Sequence, residues 1–135
     1  MEEIEYRKFY ELEDTHFWFV GRRMIVKKLI DKLSLSKEAK ILDAGCGTGG
    51  MTKSLKDYGA AYGMDFSMTA LNFCQKRGLD IICQGSIMNL PFKNAQFDLV
   101  TSFDTLSDIS ITSERRAIDE FSRVLKPNGH LFIMD

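Results

Sequence analysis

An apolar run, an acidic residue and a glycine-rich turn follow one another at residues 40–50, which read KILDAGCGTGG. Glycines in such a turn allow backbone N–H groups to approach a bound molecule closely, because no Cβ stands in the way. A second acid, Asp65, follows Gly45 by twenty positions, a distance that spans one helix and returns the chain to the end of the next strand. A carboxylate there can accept hydrogen bonds from ribose hydroxyls. Together these segments predict a nucleoside-binding α/β domain.

The glycine pattern fits two classes of cofactor site, and the residue before the turn distinguishes them. The glycines at 45, 47 and 50 match the fingerprint of dinucleotide sites, whereas Asp43 with the glycines at 45, 47 and 49 matches sites for S-adenosylmethionine. The sulfonium and ammonium of that cofactor are cationic and suit a nearby carboxylate. A pyrophosphate instead requires N–H donors and no neighbouring anion. Asp43 therefore favours S-adenosylmethionine, with S-adenosylhomocysteine as its product.

Further motifs extend the similarity beyond the glycines. Residues 90–92 read LPF, residues 97–100 read FDLV, residues 123–131 read RVLKPNGHL, and an aromatic and basic segment covers residues 16–23. Through these segments the chain resembles class I S-adenosylmethionine-dependent methyltransferases of the large family that acts on small molecules, over about residues 16–135. The resemblance implies methyl transfer to a small-molecule acceptor.

The resemblance also implies a set of cofactor contacts. The turn would face the methionine half of the cofactor, and the third strand would end at the adenine. Many members carry an acid at that strand end, where this chain has Ser86, whose hydroxyl can accept the adenine amino group more weakly. Phe66 can lie against the adenine ring or pack in the core. The predicted cofactor-binding residues are Asp43, Gly45, Cys46, Gly47, Asp65, Phe66, Ser86, Ile87 and Phe103.

The residues that would carry the chemistry are harder to assign. Methyl transfer from a sulfonium is an in-line displacement on an activated carbon, so positioning and exclusion of water can suffice without a general base. Asp104 and Asp108 are candidate bases, and solvated or capping carboxylates are the alternative. The segment at 16–19, with His16 and three aromatics, can form a lid over the cofactor or anchor the N-terminal helix.

Composition bounds the class of protein. The 135 residues are 44% hydrophobic and 27% charged, which is typical of a globular domain. The net charge of −1 disfavours a nucleic-acid partner, and no apolar run is long enough to span a membrane. The acidic N-terminus is unlike a signal peptide, so a cytoplasmic location is expected. The three cysteines fit neither a zinc site nor a disulfide framework, and no metal site is predicted.

Strand and helix patterns alternate along the chain and predict one domain over residues 1–135, with a helical segment at 1–35 and an α/β core at 36–135. Such alternation favours a Rossmann-like, doubly wound parallel sheet between two helical layers. Strand order 3-2-1-4-5 would place a ligand beyond the carboxyl ends of strands 1 and 4. Strands are expected near 40–43, 60–65, 80–84, 97–103 and 130–134, and the helices of the core near 50–58, 68–77 and 113–125.

Local patterns predict how three of these helices begin, end or pack. Ile25, Leu29 and Leu33 are spaced i, i+4, i+8, with Val26 and Ile30 alongside, and together they predict an amphipathic N-terminal helix. Gly59 suits the left-handed position that follows a helix. Ser67 can cap the helix that begins after it.

The resemblance weakens at the end of the chain. Members usually continue past the fifth strand with another helix and a pair of antiparallel strands, whereas this chain stops at Asp135. Strand 5 would then have an unpaired edge, unless a second copy in a homodimer or a partner chain covers it. Two alternatives therefore stay open: a binding module without activity of its own, and a nicotinamide-dependent oxidoreductase. Asp43 and the lack of a Tyr-x-x-x-Lys motif disfavour the second.

Overall fold

The computed structural model describes residues 2–108 and 111–135. In chain order the elements are α1 (Glu3–Leu12), α2 (Phe17–Asp31), β1 (Lys40–Ala44), α3 (Gly50–Leu55), β2 (Ala60–Asp65), α4 (Met68–Lys76), β3 (Ile82–Gln84), β4 (Phe97–Phe103), α5 (Glu114–Val124) and β5 (Leu125–Met134). β3 is shorter than the predicted 80–84, because only its three residues pair with β2.

β1 lies at the centre of a parallel sheet that the described residues form in the order β3-β2-β1-β4-β5. In its register, Asp43 lies opposite Gly63 of β2 and Thr101 of β4. Parallel neighbours require crossover connections, which the helices provide. The predicted fold class and strand order are therefore confirmed, and the carboxyl ends of β1, β2 and β4 meet at one edge of the sheet.

A hydrophobic core covers each face of the sheet, because successive strand residues point to opposite faces. Leu42 and Val100 join one core with Phe121 of α5. Ile41 and Leu99 join the other, which includes side chains of α2 and α3. The sheet thus lies between two helical layers. No helix in residues 2–108 and 111–135 is both long and apolar enough to cross a membrane.

The buried face of α2 is narrower than the predicted apolar set. Val26 and Ile30 are buried as expected, and Leu33 packs partly against the core, whereas Ile25 and Leu29 are exposed. All five residues have helical spacing, so periodicity alone could not choose between neighbouring faces of one helix. The contact of α2 with α3 and the sheet decides which face is covered.

β5 begins earlier than predicted and contains an irregularity. Leu125 already pairs with Phe97, and after a register shift His130 pairs with Leu99. The residues at 127–129, predicted as a turn before the strand, therefore form a bulge within it. Pairing with β4 therefore begins before the Pro-Asn-Gly segment, at Leu125. The sequence did not indicate this, because Pro-Asn-Gly is typical of a turn.

The expected helix boundaries hold at one position and fail at another. α3 ends at Leu55, and Gly59 does not have the predicted left-handed backbone. A Cβ at Gly59 would stand 2.3 Å from the carbonyl oxygen of Ala39, so a close backbone approach requires glycine there. Ser67 caps α4 as predicted, since its hydroxyl accepts a hydrogen bond from the N–H of Ala70.

Candidate functional site

A cavity of about 470 Å³ opens at the carboxyl ends of the central strands. Small-molecule sites commonly occupy roughly 300–1,000 Å³, and the winding of the sheet reverses here between β1 and β4. The cavity is lined by every predicted cofactor-binding residue, namely Asp43, Gly45, Cys46, Gly47, Asp65, Phe66, Ser86, Ile87 and Phe103. The candidate bases Asp104 and Asp108 line it as well, and α1, α2 and the loop between them contribute Tyr6, Phe9, Glu13, Phe19, Arg22 and Arg23.

The three glycines of the turn are required for different reasons. Gly45 has a φ of +79°, and a Cβ on it would stand 2.2 Å from Thr105 Oγ1. Gly49 has a φ of +90°, and its Cβ would stand 2.5 Å from Leu79 Cδ1. Gly47, at φ +55°, has no atom within 4 Å of its Cβ position. Packing therefore explains the first two, and Gly47 is the position where a ligand can approach the backbone.

The N–H groups of the turn are bonded within the protein. Those of Gly45 and Cys46 donate to the carbonyl of Met64 at 2.8 and 2.9 Å. That of Gly47 donates to Asp65 Oδ2 at 2.8 Å. The expectation that these N–H groups face a ligand is therefore not met at residues 45–47. A pyrophosphate would lack its usual donors here, whereas a cation would meet carboxylate oxygens.

Asp65 links the glycine turn to the start of α4. Its Oδ1 accepts from the N–H of Ser67 at 2.9 Å, and its Oδ2 accepts from that of Gly47. Burial raises the pKa of Asp65, and these two N–H donors oppose that rise. Each carboxylate oxygen can accept a further hydrogen bond, so Asp65 retains the capacity to bind two hydroxyls. Phe66 beside it is 68% exposed, which removes core packing as its role.

Asp43 is a buried carboxylate, 1% exposed, at the end of β1. The hydroxyls of Thr52 and Thr101 donate to its two oxygens at 2.7 and 2.9 Å. Burial raises the pKa of Asp43 to about 6, although the two hydroxyls oppose the rise. The side chain borders the cavity, so it can supply negative charge to a cationic ligand without being released from its threonine partners.

Cys46 and Cys74 lie together beneath the glycine turn, with their Sγ atoms 3.8 Å apart. The hydrogen bond to Cys74 and burial raise the pKa of the Cys46 thiol well above its ordinary value. A thiol with a raised pKa is a poor nucleophile. Cys46, which lines the cavity, is therefore better suited to border a ligand than to act as a catalytic group.

The predicted adenine end is built by the loop after β3. Ser86 and Ile87 line the cavity, and Ile87 is buried. The hydroxyl of Ser86 already accepts the N–H of Met88 at 3.2 Å. A hydroxyl oxygen has two acceptor sites, so one site remains for an amino group of a ligand.

Asp104, a candidate base, is paired with Arg22. Arg22 Nη1 donates to Asp104 Oδ2, and the guanidinium carbon lies 5.5 Å from the ring centroid of Phe103 and 5.8 Å from that of Phe19. Stacking on rings and pairing with a carboxylate are typical of arginine. Asp104 is therefore assigned to holding Arg22 through this ion pair.

Arg77, at the end of α4, holds α1 over the glycine turn. Its side chain is 3% exposed, and it donates to the carbonyls of Thr48 and Tyr10 at 3.0 and 3.1 Å and to both oxygens of Asp14. Glu13 lies 3.7 Å from Arg77 and accepts from the hydroxyl of Thr48. Burial raises the pKa of Glu13, and these partners oppose the rise. Sequence reasoning missed this cluster, which no local motif signals.

The aromatic segment before α2 divides between solvent and cavity. His16 caps α2, with Nδ1 accepting from the N–H of Trp18 at 3.3 Å. Phe17 and Trp18 are exposed, so they do not anchor the helix. Phe19 lines the cavity, where its ring meets that of Phe9 at 5.8 Å between centroids. One aromatic of this segment thus covers the site, together with α1.

Comparison with known proteins decides the family. Residues 42–133, more than half of the chain, match a family model described as a methyltransferase domain. The chain belongs to this methyltransferase family. The methyltransferase domain is 33% identical over 129 residues to demethylmenaquinone methyltransferase of Corynebacterium urealyticum, covering 95% of this chain and 55% of that protein. It is 30% identical over 115 residues to phosphoethanolamine N-methyltransferase of Plasmodium falciparum, covering 81% and 43%.

A solved structure agrees with this assignment. An S-adenosylmethionine-dependent methyltransferase of Thermotoga maritima, described as a possible histamine N-methyltransferase, matches with a TM-score of 0.67 at 27% identity. The match covers 93% of this chain and 58% of that one. The methyltransferase domain spans about half the length of the curated relatives it matches. Family and fold together imply S-adenosylmethionine as the cofactor, and they do not support a nicotinamide-dependent oxidoreductase.

The charges around the cavity suit that cofactor. Two arginines, Arg22 and Arg23, line it together with the acids Glu13, Asp43, Asp65, Asp104 and Asp108. The excess of carboxylates gives a field that attracts the positive sulfonium and ammonium groups. The hydrogen bonds of the turn also favour a cationic ligand. The N–H groups of residues 45–47 already donate within the protein, so they are not available to bind an anion.

Proposed function

We propose that this methyltransferase domain transfers the methyl group of S-adenosylmethionine to a small-molecule acceptor. The observation that carries the proposal is the acid-lined cavity at the carboxyl ends of the central strands, where all the predicted cofactor segments meet. Relatives named for demethylmenaquinone and phosphoethanolamine support a small acceptor. The net charge of −1 disfavours a nucleic acid in that role.

Each predicted residue receives a proposed part in binding. The carboxylate of Asp65 would accept hydrogen bonds from the ribose hydroxyls, and Phe66 would lie against the adenine. The hydroxyl of Ser86 would accept the adenine amino group beside Ile87. Asp43, fixed by its two threonines, would provide negative charge near the ammonium. When bound, S-adenosylmethionine supplies the activated methyl carbon.

The catalytic contribution of the chain is proposed to be positioning and exclusion of water. Phe9 and Phe19 border the cavity from the N-terminal side, and Arg77 holds α1 over the turn. Displacement at an activated methyl carbon gains most from alignment of the two reactants and from a dry site. Asp104 is engaged by Arg22, so no general base is included in the proposal.

Partner and location stay predictions from sequence. Within the described part of the chain, β5 pairs with β4 and with no other strand. A second copy or a partner chain at this edge, and a cytoplasmic location, are therefore expectations that need measurements of their own.

Calorimetric titration with S-adenosylhomocysteine, beside NAD, tests the cofactor. We expect micromolar binding of S-adenosylhomocysteine alone. The Asp65→Ala variant should weaken it by roughly 1–3 kcal/mol, because the ribose hydroxyls lose a charged acceptor. Asp119→Ala, an exposed acid on α5, is the matched control and should bind like the wild type. Binding of NAD in place of S-adenosylhomocysteine would contradict the proposal.

A transfer assay then separates an enzyme from a binding module. The protein is incubated with S-adenosylmethionine carrying a labelled methyl group and a panel of phenols, amines and carboxylates. Labelled product from any of them supports the proposed reaction. Binding of the cofactor without transfer to any acceptor would favour the alternative of a module without independent activity.

A further inference from the structure

Two thiols lie together beneath the glycine turn. Cys46 belongs to the turn and Cys74 to α4, 28 positions later in sequence, and their Sγ atoms are 3.8 Å apart. Both are free thiols in the structure, as is the third cysteine, Cys83 on β3. Methyl transfer as proposed does not require a second sulfur beneath the turn, so the pair calls for another explanation.

The two thiols differ in their access to the cavity. Cys46 lines the cavity and is 8% exposed, whereas Cys74 is fully buried and packs with Leu71 and Leu79. A small reagent in the cavity therefore meets Cys46 first, and Cys74 lies behind it. In such an arrangement oxidation of the outer sulfur ends in a disulfide, because the neighbouring thiol attacks the oxidised sulfur.

The surroundings of the pair leave room for a bond between the sulfurs. Cys74 Sγ donates to the carbonyl of Gly47 at 3.1 Å, and Cys46 Sγ lies 3.7 Å from the same oxygen. Glycines border both sulfurs, since a Cβ on Gly63 would stand 3.2 Å from Cys46 Sγ and one on Gly49 would stand 3.0 Å from Cys74 Sγ. A disulfide is about 2.05 Å long, so the sulfurs must approach by roughly 1.8 Å. Rotation of the two side chains and a small shift of the turn can supply this approach.

We propose that Cys46 and Cys74 form a reversible disulfide when the protein meets a hydroperoxide, and that this bond weakens the binding of S-adenosylmethionine. The Cys46 thiolate attacks one peroxide oxygen, and the O–O bond breaks to give a sulfenic acid and hydroxide, which takes up the thiol proton as water. The thiol of Cys74 then displaces the sulfenic oxygen as a second water. Two thiols and one hydrogen peroxide thus give one disulfide and two waters.

The rate of this reaction depends on pH. The hydrogen bond with Cys74 and burial raise the pKa of the Cys46 thiol. The thiolate is the nucleophile, so the disulfide should form slowly at about pH 7 and faster at about pH 9.

The disulfide would deform the turn that borders the cofactor. It removes the S–H donor from the carbonyl of Gly47 and draws Cys46 toward α4. The N–H of Gly47 donates to Asp65 Oδ2 at 2.8 Å, and that of Cys46 donates to the carbonyl of Met64 at 2.9 Å. A shift of the turn therefore disturbs the carboxylate proposed to bind the ribose. This step rests on the proposed function, since it assumes that the cavity binds S-adenosylmethionine.

Peptide mapping after oxidation tests the bond without any cofactor. The protein is treated with hydrogen peroxide, and the remaining free thiols are alkylated in denaturant. The three cysteines lie in three different tryptic peptides, 41–53, 57–76 and 78–93. We expect the free thiols to fall from three to one and the first two peptides to be linked until dithiothreitol separates them. Cys83→Ser is the control and should keep the link. A link through Cys83, or three free thiols after treatment, would overturn the inference.

Titration with S-adenosylhomocysteine tests the effect of the bond on binding. The affinity of the oxidised protein should fall at least about 10-fold and return with dithiothreitol. Cys74→Ala cannot form the bond, so its affinity should be the same before and after treatment; if this variant does not fold, Cys74→Ser gives the same comparison. An equal loss in the variant would assign the effect to oxidation of other residues, such as Met51 and Met64 in the cavity.

Two further outcomes separate the parts of the inference. A disulfide that leaves the affinity for S-adenosylhomocysteine unchanged would overturn the claim that the bond controls binding. A reduced protein that binds no S-adenosylhomocysteine would overturn the proposed function and that claim with it, whereas the linked peptides would still establish the bond.

Discussion

Asp43 provides a quantitative test of the site, because its burial raises its pKa to about 6 from the ordinary 3.8. In the folded protein the side chain keeps its proton up to about pH 6, whereas in the unfolded chain it loses the proton near pH 4. Between these values the folded state binds more protons than the unfolded state, so stability falls as the pH rises. Above pH 6 the full penalty of the buried charge is present.

The penalty can be removed by substitution. At about 1.4 kcal/mol for each pKa unit, the difference between 3.8 and about 6 corresponds to roughly 3 kcal/mol. An asparagine side chain is neutral at every pH, so Asp43→Asn should lack this pH-dependent penalty. The free energy of unfolding of the variant, relative to the wild type, should therefore increase by about 2–3 kcal/mol between pH 4 and pH 7.5.

Urea denaturation at a series of pH values measures this difference. The comparison with the wild type cancels the contributions of Glu13 and Asp65, whose pKa values burial also raises. Asp119→Asn, an exposed acid on α5, is the control and should follow the wild type at every pH. Parallel curves for Asp43→Asn and the wild type would refute the reasoning, because the buried carboxylate would then carry no charge penalty.

Four further substitutions test how the site is built. Arg77→Met should lower the free energy of unfolding by about 3 kcal/mol, because it leaves the Glu13 carboxylate and the carbonyls of Thr48 and Tyr10 without their cationic donor. A loss below about 0.5 kcal/mol in urea denaturation would show that Arg77 does not hold α1. Gly47→Ala should lower the free energy of unfolding by about 1 kcal/mol, because alanine is strained in a left-handed backbone. Gly45→Ala should lower it clearly more, since its Cβ would also overlap Thr105. Equal losses of stability in thermal denaturation would contradict this difference. Phe66→Ala should leave the free energy of unfolding unchanged and weaken S-adenosylhomocysteine binding by about 1 kcal/mol. A loss of stability as large as for a buried aromatic side chain would show that Phe66 packs in the core instead.

The part of the site that was predicted from sequence depends on local patterns. Asp43 and the glycine turn are adjacent in sequence, and Asp65 follows at the end of the next strand. Parallel topology brings such strand ends to one edge of the sheet, so alternation of strands and helices was enough to place these residues together. Strand order was confirmed for the same reason.

The part that was missed depends on how helices dock. Arg77 reaches Asp14 and Tyr10 across more than sixty positions of sequence, and no spacing rule connects them. Ile25 and Val26 belong to neighbouring faces of one helix, and only contact with the core shows which face is buried.

The glycines illustrate a different limit. The glycines indicated a tight turn. A glycine, however, can be required either because neighbouring atoms pack against it or because a ligand approaches the backbone there. Gly45 is required by Thr105 and Gly49 by Leu79, whereas Gly47 borders open space. Sequence shows that a side chain is absent, and the surrounding atoms show why.

A crystal structure of the protein with S-adenosylhomocysteine tests the central claim most directly. The account predicts the ribose hydroxyls within hydrogen-bond distance of the Asp65 carboxylate, the adenine between Phe66 and Ile87, and the homocysteine group beside Gly47. Such a complex would establish the cavity as the cofactor site. A ligand bound elsewhere, or a ribose turned away from Asp65, would contradict the account.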